Sequence, residues 1–560
     1  MKIKAIIYGL IVLVGFSCSD DYIERYPLVN PSSETFLSTG PEMELAINAA
    51  YQKMYWSGGY NTTNHYRMDF ATDIGMFRPE WGADGFNSIS RGDHTTLTST
   101  FKNAWDNFYT GVGRCNNILE NIERGRENVS EEFYNQIIAQ ALFLRAYYYM
   151  YLTELYGDVP LVITVQDPTV YELAKDPKSA VVNQILLDLD EAIKYLPSEW
   201  TGGDKGRATS GAALTLKARI ALYNGMYEMA ADAAKQVMDS KVYSLHPNYG
   251  EVFDFEHQRN SEVIYDLPYL IGEKHQAWVK ISSTRNAKCW STSYPTRDLV
   301  DSYEDINGKT IDQSDIYDAA KPFENRDPRL DYTILREGSI FGGYLYTHHP
   351  DSAKCAFYEN GVFKKRVKNF EVSKGIYASR TGFNVKKWFH DSDLENISES
   401  DLNFILMRYA EVLLIYAEAK IELNEIDASV YDAINDVRDR AGMPDVAAGK
   451  SQAELRTILR RERKVELAFE GLRLFDIRRW RIAEHVMPGD VVGKRTKSYW
   501  YSSEPVPTIN AYGKPVYSKV STYFATTPAT RIFDPNKDYL WPIPQAERDI
   551  NPLLEQNDGY

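Results

Sequence analysis

Apolar residues recur at three- and four-residue spacings in several long stretches of the chain, and each stretch predicts an amphipathic helix. In "EMELAINAAYQKMYW" the period puts Leu45, Ala49 and Met54 near one face. In "FKNAWDNFYTGVGRCNNILENI" it aligns Trp105, Phe108, Tyr109, Val112, Asn116 and Leu119. "AQALFLRAYYYMYLTELYGDVPLV" predicts a longer helix that stops at Gly157 and Pro160, and "VNQILLDLDEAIKYLP" carries Ile185, Leu189, Ala192 and Leu196 up to Pro197.

Two stretches predict helical hairpins. Residues 209–240 place Ala213, Leu216, Ile220 and Tyr223 before a break at Asn224–Gly225, and Tyr227, Ala230, Ala231, Ala234 and Val237 after it. Small residues at the contact let two antiparallel helices pack closely, which is the tetratricopeptide pattern. Residues 404–442 repeat it, with Leu406, Tyr409, Leu413, Tyr416 and Ala417, then Tyr431, Ile434 and Val437. Distant hairpins of this kind predict one curved scaffold. The period is lost over 57–100, 245–400 and 486–540, which are rich in Gly, Pro, Asn, Asp and aromatics, with short strand-like runs such as "EVIYDLPYL". The fold class expected is mainly α: a tetratricopeptide-like helical-hairpin scaffold with an irregular, loop-rich lobe.

The first residues form a different pattern. Lys2 and Lys4 precede an apolar run from Ile6 to Phe16, too short to span a membrane, followed by Ser17 and Cys18. This resembles the signal and lipobox of bacterial lipoproteins, with Gly15 in place of the usual Leu three residues before the cysteine. The resemblance implies a signal peptide over 1–17, acylation (palmitate) of Cys18, and a tether over 18–40. Two or three acyl chains hold a protein on a membrane without a spanning helix, at about 0.8 kcal/mol per buried methylene.

Composition narrows the function. The 560 residues carry a formal charge of −15, which repels phosphate backbones and argues against nucleic acid as a partner. Cys115, Cys289 and Cys355 are odd in number and widely spaced, so no disulfide framework or zinc motif is expected. HExxH, GxSxG, P-loop and GxGxxG patterns are absent, and His348–His349 reads as a solvated loop pair. No enzyme, cofactor or metal is therefore expected; EF-hand spacing is absent too, although a structural calcium in such a lobe stays open.

Charge is densest in "RRERKVELAFEGLRLFDIRRW" at 460–480. An acid/base pair of Glu462 and Glu466 is one reading. The preferred one is a structural ion-pair cluster of Glu462, Glu466, Arg473, Asp476 and Arg478, because so many arginines keep a carboxylate ionised.

This same stretch resembles the C-terminal signature of the SusD/RagB family, the outer-membrane nutrient-binding lipoproteins of Bacteroidetes. "LMRYAEVLLIYAEAK", "ALFLRAYYYMYLTELYGDVPLV", "YPTRDLVDSYEDINGK" and "DYLWPIPQAERDINPLLEQNDGY" resemble other family segments in the family's order. The resemblance implies an N-terminal helical region over 41–240 with a ligand-lobe insertion near 57–100. It implies a C-terminal region over 245–560, with its lobe at 245–400 and 486–540 and its helices at 402–480. It also implies a SusC-like, TonB-dependent transporter as partner, to which the protein delivers ligand for uptake. The implied place is the outer membrane, through the lipid anchor, and "SDD" at 19–21 resembles the acidic tract that marks surface export; a periplasm-facing lipoprotein is the alternative.

Family members capture glycans most often and some capture peptides, so both ligand classes stay open, with a glycoside hydrolase as a weaker third. Sugars lie on aromatic planes and need polar groups at the rim. Two aromatic segments fit this: Trp81 among Arg78, Asp84 and Asn87, and Tyr269, Trp278, Trp290 and Tyr294 among His275, Gln276, Arg285 and Asn286. Trp81, Arg78, Asp84, Asn87, Tyr269, Trp278, Trp290 and Tyr294 are the expected ligand-binding residues, while Trp105 and Trp480, on helical stripes, are expected in the core.

Overall fold

The computed structural model describes residues 35–80, 85–167, 169–372, 378–494, 506–517 and 526–560. It is mostly helical. The longer helices are α1 (Gly40–Tyr51), α2 (Ser99–Asn121), α3 (Glu131–Tyr156), α4 (Lys178–Tyr195), α5 (Ser210–Tyr223), α6 (Tyr227–Ser240), α7 (Tyr409–Glu422), α8 (Ala428–Arg440), α9 (Gln452–Glu466) and α10 (Arg473–Arg479). The signal segment and Cys18 lie outside the described residues.

The ends of these helices follow local chemistry. The Glu42 carboxylate accepts the backbone N–H groups of Thr39 (3.0 Å) and Ser38 (2.9 Å), which starts α1. Ser130 caps α3 by accepting the N–H of Phe133, and Gly157, at φ +79°, ends it. α3 is apolar on nearly all sides from Ala139 onward and is accordingly the buried centre of the N-terminal half, between α2 and α4.

Each helix from α2 to α8 packs on the next in order. The step from α6 to α7 crosses 168 intervening residues, yet these helices lie together, so the two hairpins stack as one array. The irregular lobe leaves the scaffold at strand Val263–Leu267 and returns at Phe404–Arg408, and those strands pair antiparallel. Leu406, expected on a helix, is therefore on a strand, held there by its pairing with Val263–Leu267, and the helix begins only at Tyr409.

Strand Gly75–Phe77 pairs with Ser293–Pro295 and ties the earlier insertion to the lobe. A four-stranded antiparallel sheet, Ile340–Phe341, Tyr344–Leu345, Lys354–Glu359 and Val362–Lys368, forms the outer lobe. Lobe and scaffold share one core: Trp278 stacks on Trp388 (centroids 5.4 Å) and Trp388 on Phe404 (5.0 Å).

Three expectations change. The buried side of α1 is Met43, Ala46, Ile47 and Ala50, and Leu45 is 58% exposed. Helix α1 ends at Tyr51, and the 3₁₀ turn Gln52–Met54 advances by a different angle per residue, so Met54 does not continue the stripe through Leu45. His348 is buried, edge-on to Tyr346 and Phe383, rather than solvated. Trp480 is half-buried; its indole N–H donates to Glu418 (2.6 Å), and the guanidinium groups of Arg460 and Arg479 lie over its ring.

Candidate functional site

The two charged and aromatic regions singled out in the sequence have opposite characters. At the C-terminal junction, Glu462 and Glu466 on α9 are fully buried. Glu466 pairs with Arg408 (2.6 Å), Arg329 (2.9 Å) and Arg440; Glu462 pairs with Arg438 (2.9 Å) and Arg329. Burial alone would raise the Glu466 carboxyl, but Arg440, Arg408 and Arg329 hold it well below the usual carboxylate range. A carboxylate with three guanidinium partners and no open space beside it has nothing left to offer a substrate.

The cluster's wiring differs from the local one expected. The partners of Glu462 and Glu466 come from distant segments, while Arg473 turns to Asp73 (2.8 Å) and Asp476 to Arg463 (3.0 Å) and Arg479 (2.8 Å). Arg478 makes no ion pair within 4 Å among the described residues; it donates to the Asp538 carbonyl (3.2 Å), and burial lowers its guanidinium to about 10.

In the lobe, Trp81 and Asp84 lie outside the described residues. Arg78, Asn87, Tyr269, Trp278 and Tyr294 are all buried and offer no open face. Arg78 donates to the carbonyls of Trp290 and Ser291 (2.6 Å) and to the Tyr294 hydroxyl (3.4 Å), and Asn87 donates to the Arg78 carbonyl (3.2 Å). These residues fasten 78–87 to 290–294, so they build a wall rather than a binding surface. Tyr269 packs edge-on against Tyr55, and Trp278 joins the aromatic core because its short helix faces Trp388 and Phe404. Trp290 alone of the described aromatic candidates is half-exposed, with the Lys280 ammonium 5.1 Å from its ring centre.

Residues of the 281–293 segment line two concavities. One, of about 500 Å³, lies between 57–67, 77–80, Gly85, 99–103 and 281–293. Phe77 lies beneath it with only 2% of its surface exposed, and Arg67, Glu80 and Asn103 give it accessible polar groups, with buried Asn64 behind Arg67. Arg67 donates to the Asn64 side chain (2.9 Å), and its guanidinium lies 5.5 Å and 5.3 Å from the Phe77 and Phe86 ring centres. Glycine makes this approach feasible: a Cβ on Gly58 would sit 1.8 Å from the Arg67 Nη1.

The other concavity, of about 380 Å³, lies between 285–288 and the outer sheet. Arg285, Lys288, Lys365 and Lys368 supply its cations, Tyr344, Phe357 and Phe370 its rings, and no carboxylate among the described residues lines it. Sequence reasoning located both flanking segments but named the residues that hold the wall. Arg67, Asn64 and Phe77 were missed; the Gly58–Gly59 pair was the available signal. No helix among the described residues is long and apolar enough to cross a membrane.

Residues 250–560 match the model of the SusD family, and residues 30–222 match a model described as starch-binding associating with outer membrane. The chain is 28% identical to SusD-like protein P2 of Formosa agariphila over the full length of both. It is 30% identical to a solved SusD-like carbohydrate binding protein from Bacteroides fragilis, with a TM-score of 0.79 covering 93% of this chain and 100% of that one. A laminarin binding SusD-like protein, 21% identical, shares the fold at a TM-score of 0.69 over 93% of this chain and 100% of its own.

Proposed function

The chain belongs to the SusD family, and from that premise we propose that it captures an oligosaccharide at the lobe wall and delivers it to a SusC-like transporter without cleaving it. The observation that carries this reading is the polar cleft beside Arg67. Arg67, Glu80 and Asn103 at its rim supply donors and acceptors for the hydroxyls of a sugar ring. The named carbohydrate ligands of the relatives support the same class. In this reading Cys18 carries the acyl anchor that holds the protein on the outer membrane, facing the cell surface.

Calorimetry against a panel of neutral and acidic oligosaccharides tests it. One glycan class binds, no new reducing ends appear, and Arg67→Ala weakens binding by roughly 10- to 150-fold, the loss of a charge-assisted hydrogen bond of about 1.5–3 kcal/mol. Binding of peptides in place of glycans, or unchanged glycan affinity in Arg67→Ala, counts against this cleft as the sugar site. Cys18→Ala should release the protein from membranes.

A further inference from the structure

Between α6 and strand Val263–Leu267 the chain makes an excursion over 241–262 that packs on the scaffold side of the lobe. His246, Glu251 and His257 come together there, each offering one ligand atom, all within 4.8 Å of one another. The His257 Nε2 lies 3.8 Å from the Glu251 carboxylate, and the His246 and His257 rings are 5.3 Å apart. We propose that these three side chains form a binding site for a divalent cation of the zinc class.

The hydrogen bonds around the three residues orient them for that task. The His257 Nδ1 is 2.7 Å from the Asp254 carboxylate, which can only accept, so Nδ1 carries the proton and the Nε2 lone pair is available. The His246 Nδ1 lies 3.1 Å from the Asn248 carbonyl and 3.3 Å from the Asn248 N–H; in the tautomer that donates to the carbonyl, the closer of the two, the His246 Nε2 is available too. Metal-bound imidazoles are held by carboxylates and backbone carbonyls in this way. The Asn248 side chain donates to one oxygen of Glu251 (2.8 Å) and leaves the other for a cation.

The backbone beneath is anchored. The His246 N–H donates to Glu262 (2.9 Å), itself paired with Arg408 and Arg440 (both 2.7 Å), and Phe253 packs on Trp388. The side chains are half-exposed, which gives a cation a path in. Two imidazoles and one carboxylate suit zinc, with a fourth position for water, and supply too few oxygens for calcium. Ligand atoms within 4.8 Å of one another, 3.8 Å for His257 and Glu251, close to a zinc shell by rotations of these half-exposed side chains. A bound cation would clasp 246–257 as a loop beside the strand from which the lobe departs.

Titration of the full chain with zinc chloride in a calorimeter tests this. A saturable event of one equivalent is expected, abolished in His246→Ala and in His257→Ala. Asp254→Asn, which touches no metal, should weaken it by about 10- to 100-fold. Zinc should raise the melting temperature of the wild-type chain and leave that of the doubly substituted His246→Ala, His257→Ala chain unchanged; without zinc the two should melt alike. Saturable zinc binding that survives in the double variant, or none in the wild type, overturns the site. Calcium binding as tight as zinc overturns the cation class.

Discussion

The α9 junction and the lobe wall are both rich in arginine and aromatic rings, and they use them in opposite ways. At the junction the carboxylates are enclosed and answered by cations: Glu466 by three arginines, Asp476 by two. At the wall, Arg67 is half-exposed beside open space, with Asn64 and two ring faces for neighbours. Density of charge therefore does not mark a site. A group can serve a ligand only where hydrogen-bonding capacity meets volume that a ligand can enter, and the junction has spent that capacity on joining distant segments.

The comparison breaks most sharply at Glu466. Glu466→Ala leaves Arg329, Arg408 and Arg440 facing one another in the core, and should lower stability by about 3–5 kcal/mol with glycan affinity unchanged. Denaturant unfolding beside calorimetry reads both; normal stability with lost binding would make the junction a site after all. Next come the two tryptophans a dozen residues apart. Trp278→Ala empties a core position and should cost about 3–5 kcal/mol of stability.

Acid should act on the junction first. Asp476 and Glu470, like Glu466, are held below the usual carboxylate range by arginine and lysine neighbours that outweigh the burial raising them. A depressed carboxyl stabilises the fold above its unfolded value of about 4 and loses that contribution as pH falls further toward its folded value. Buried Asp69 works in the other sense. Burial pushes it up to about 7, so its contribution is full below about 4 and fades as pH rises toward 7. Unfolding midpoints measured across pH should fall steeply below about pH 4, and less steeply in Glu466→Gln.

Smaller effects separate the wall from the core. Trp290→Ala should leave the melting temperature nearly unchanged and cost about 1–3 kcal/mol of glycan affinity if the ring is a stacking surface, the scale for flat rings on aromatic side chains. Smallest is Lys365→Ala at the second concavity. It should reduce affinity for a uronic-acid or sulfated oligosaccharide by about 0.2–1 kcal/mol, more at low salt than at high, and leave a neutral one unaffected.

Helices were legible because their signals are local. The stripe of α2, the Gly157 stop and the Asn224–Gly225 break all appear within a few turns of chain, and the structure places helices there. Errors arose where a local rule ran past its domain. The helical period was carried through the 3₁₀ turn after α1 and back into the strand before α7. At the wall, composition singled out the aromatic segments around Trp81 and from Tyr269 to Tyr294, but it could not say which face of each ring is covered. Trp278 and Trp290 have similar local sequence and opposite environments.

By itself, then, the sequence determined the helical hairpins and the family signature, since periodicity, turn residues and quoted motifs are properties of short stretches. Only the tertiary structure decided that α6 meets α7 across the lobe, that Glu466 is answered by Arg329, Arg408 and Arg440, that Arg78 and Tyr294 hold a wall, and that Arg67 and Phe77 line it. These are outcomes of long-range packing, where a side chain's role depends on what burial removes from water and what remains open beside it, and no window of neighbouring residues contains that information.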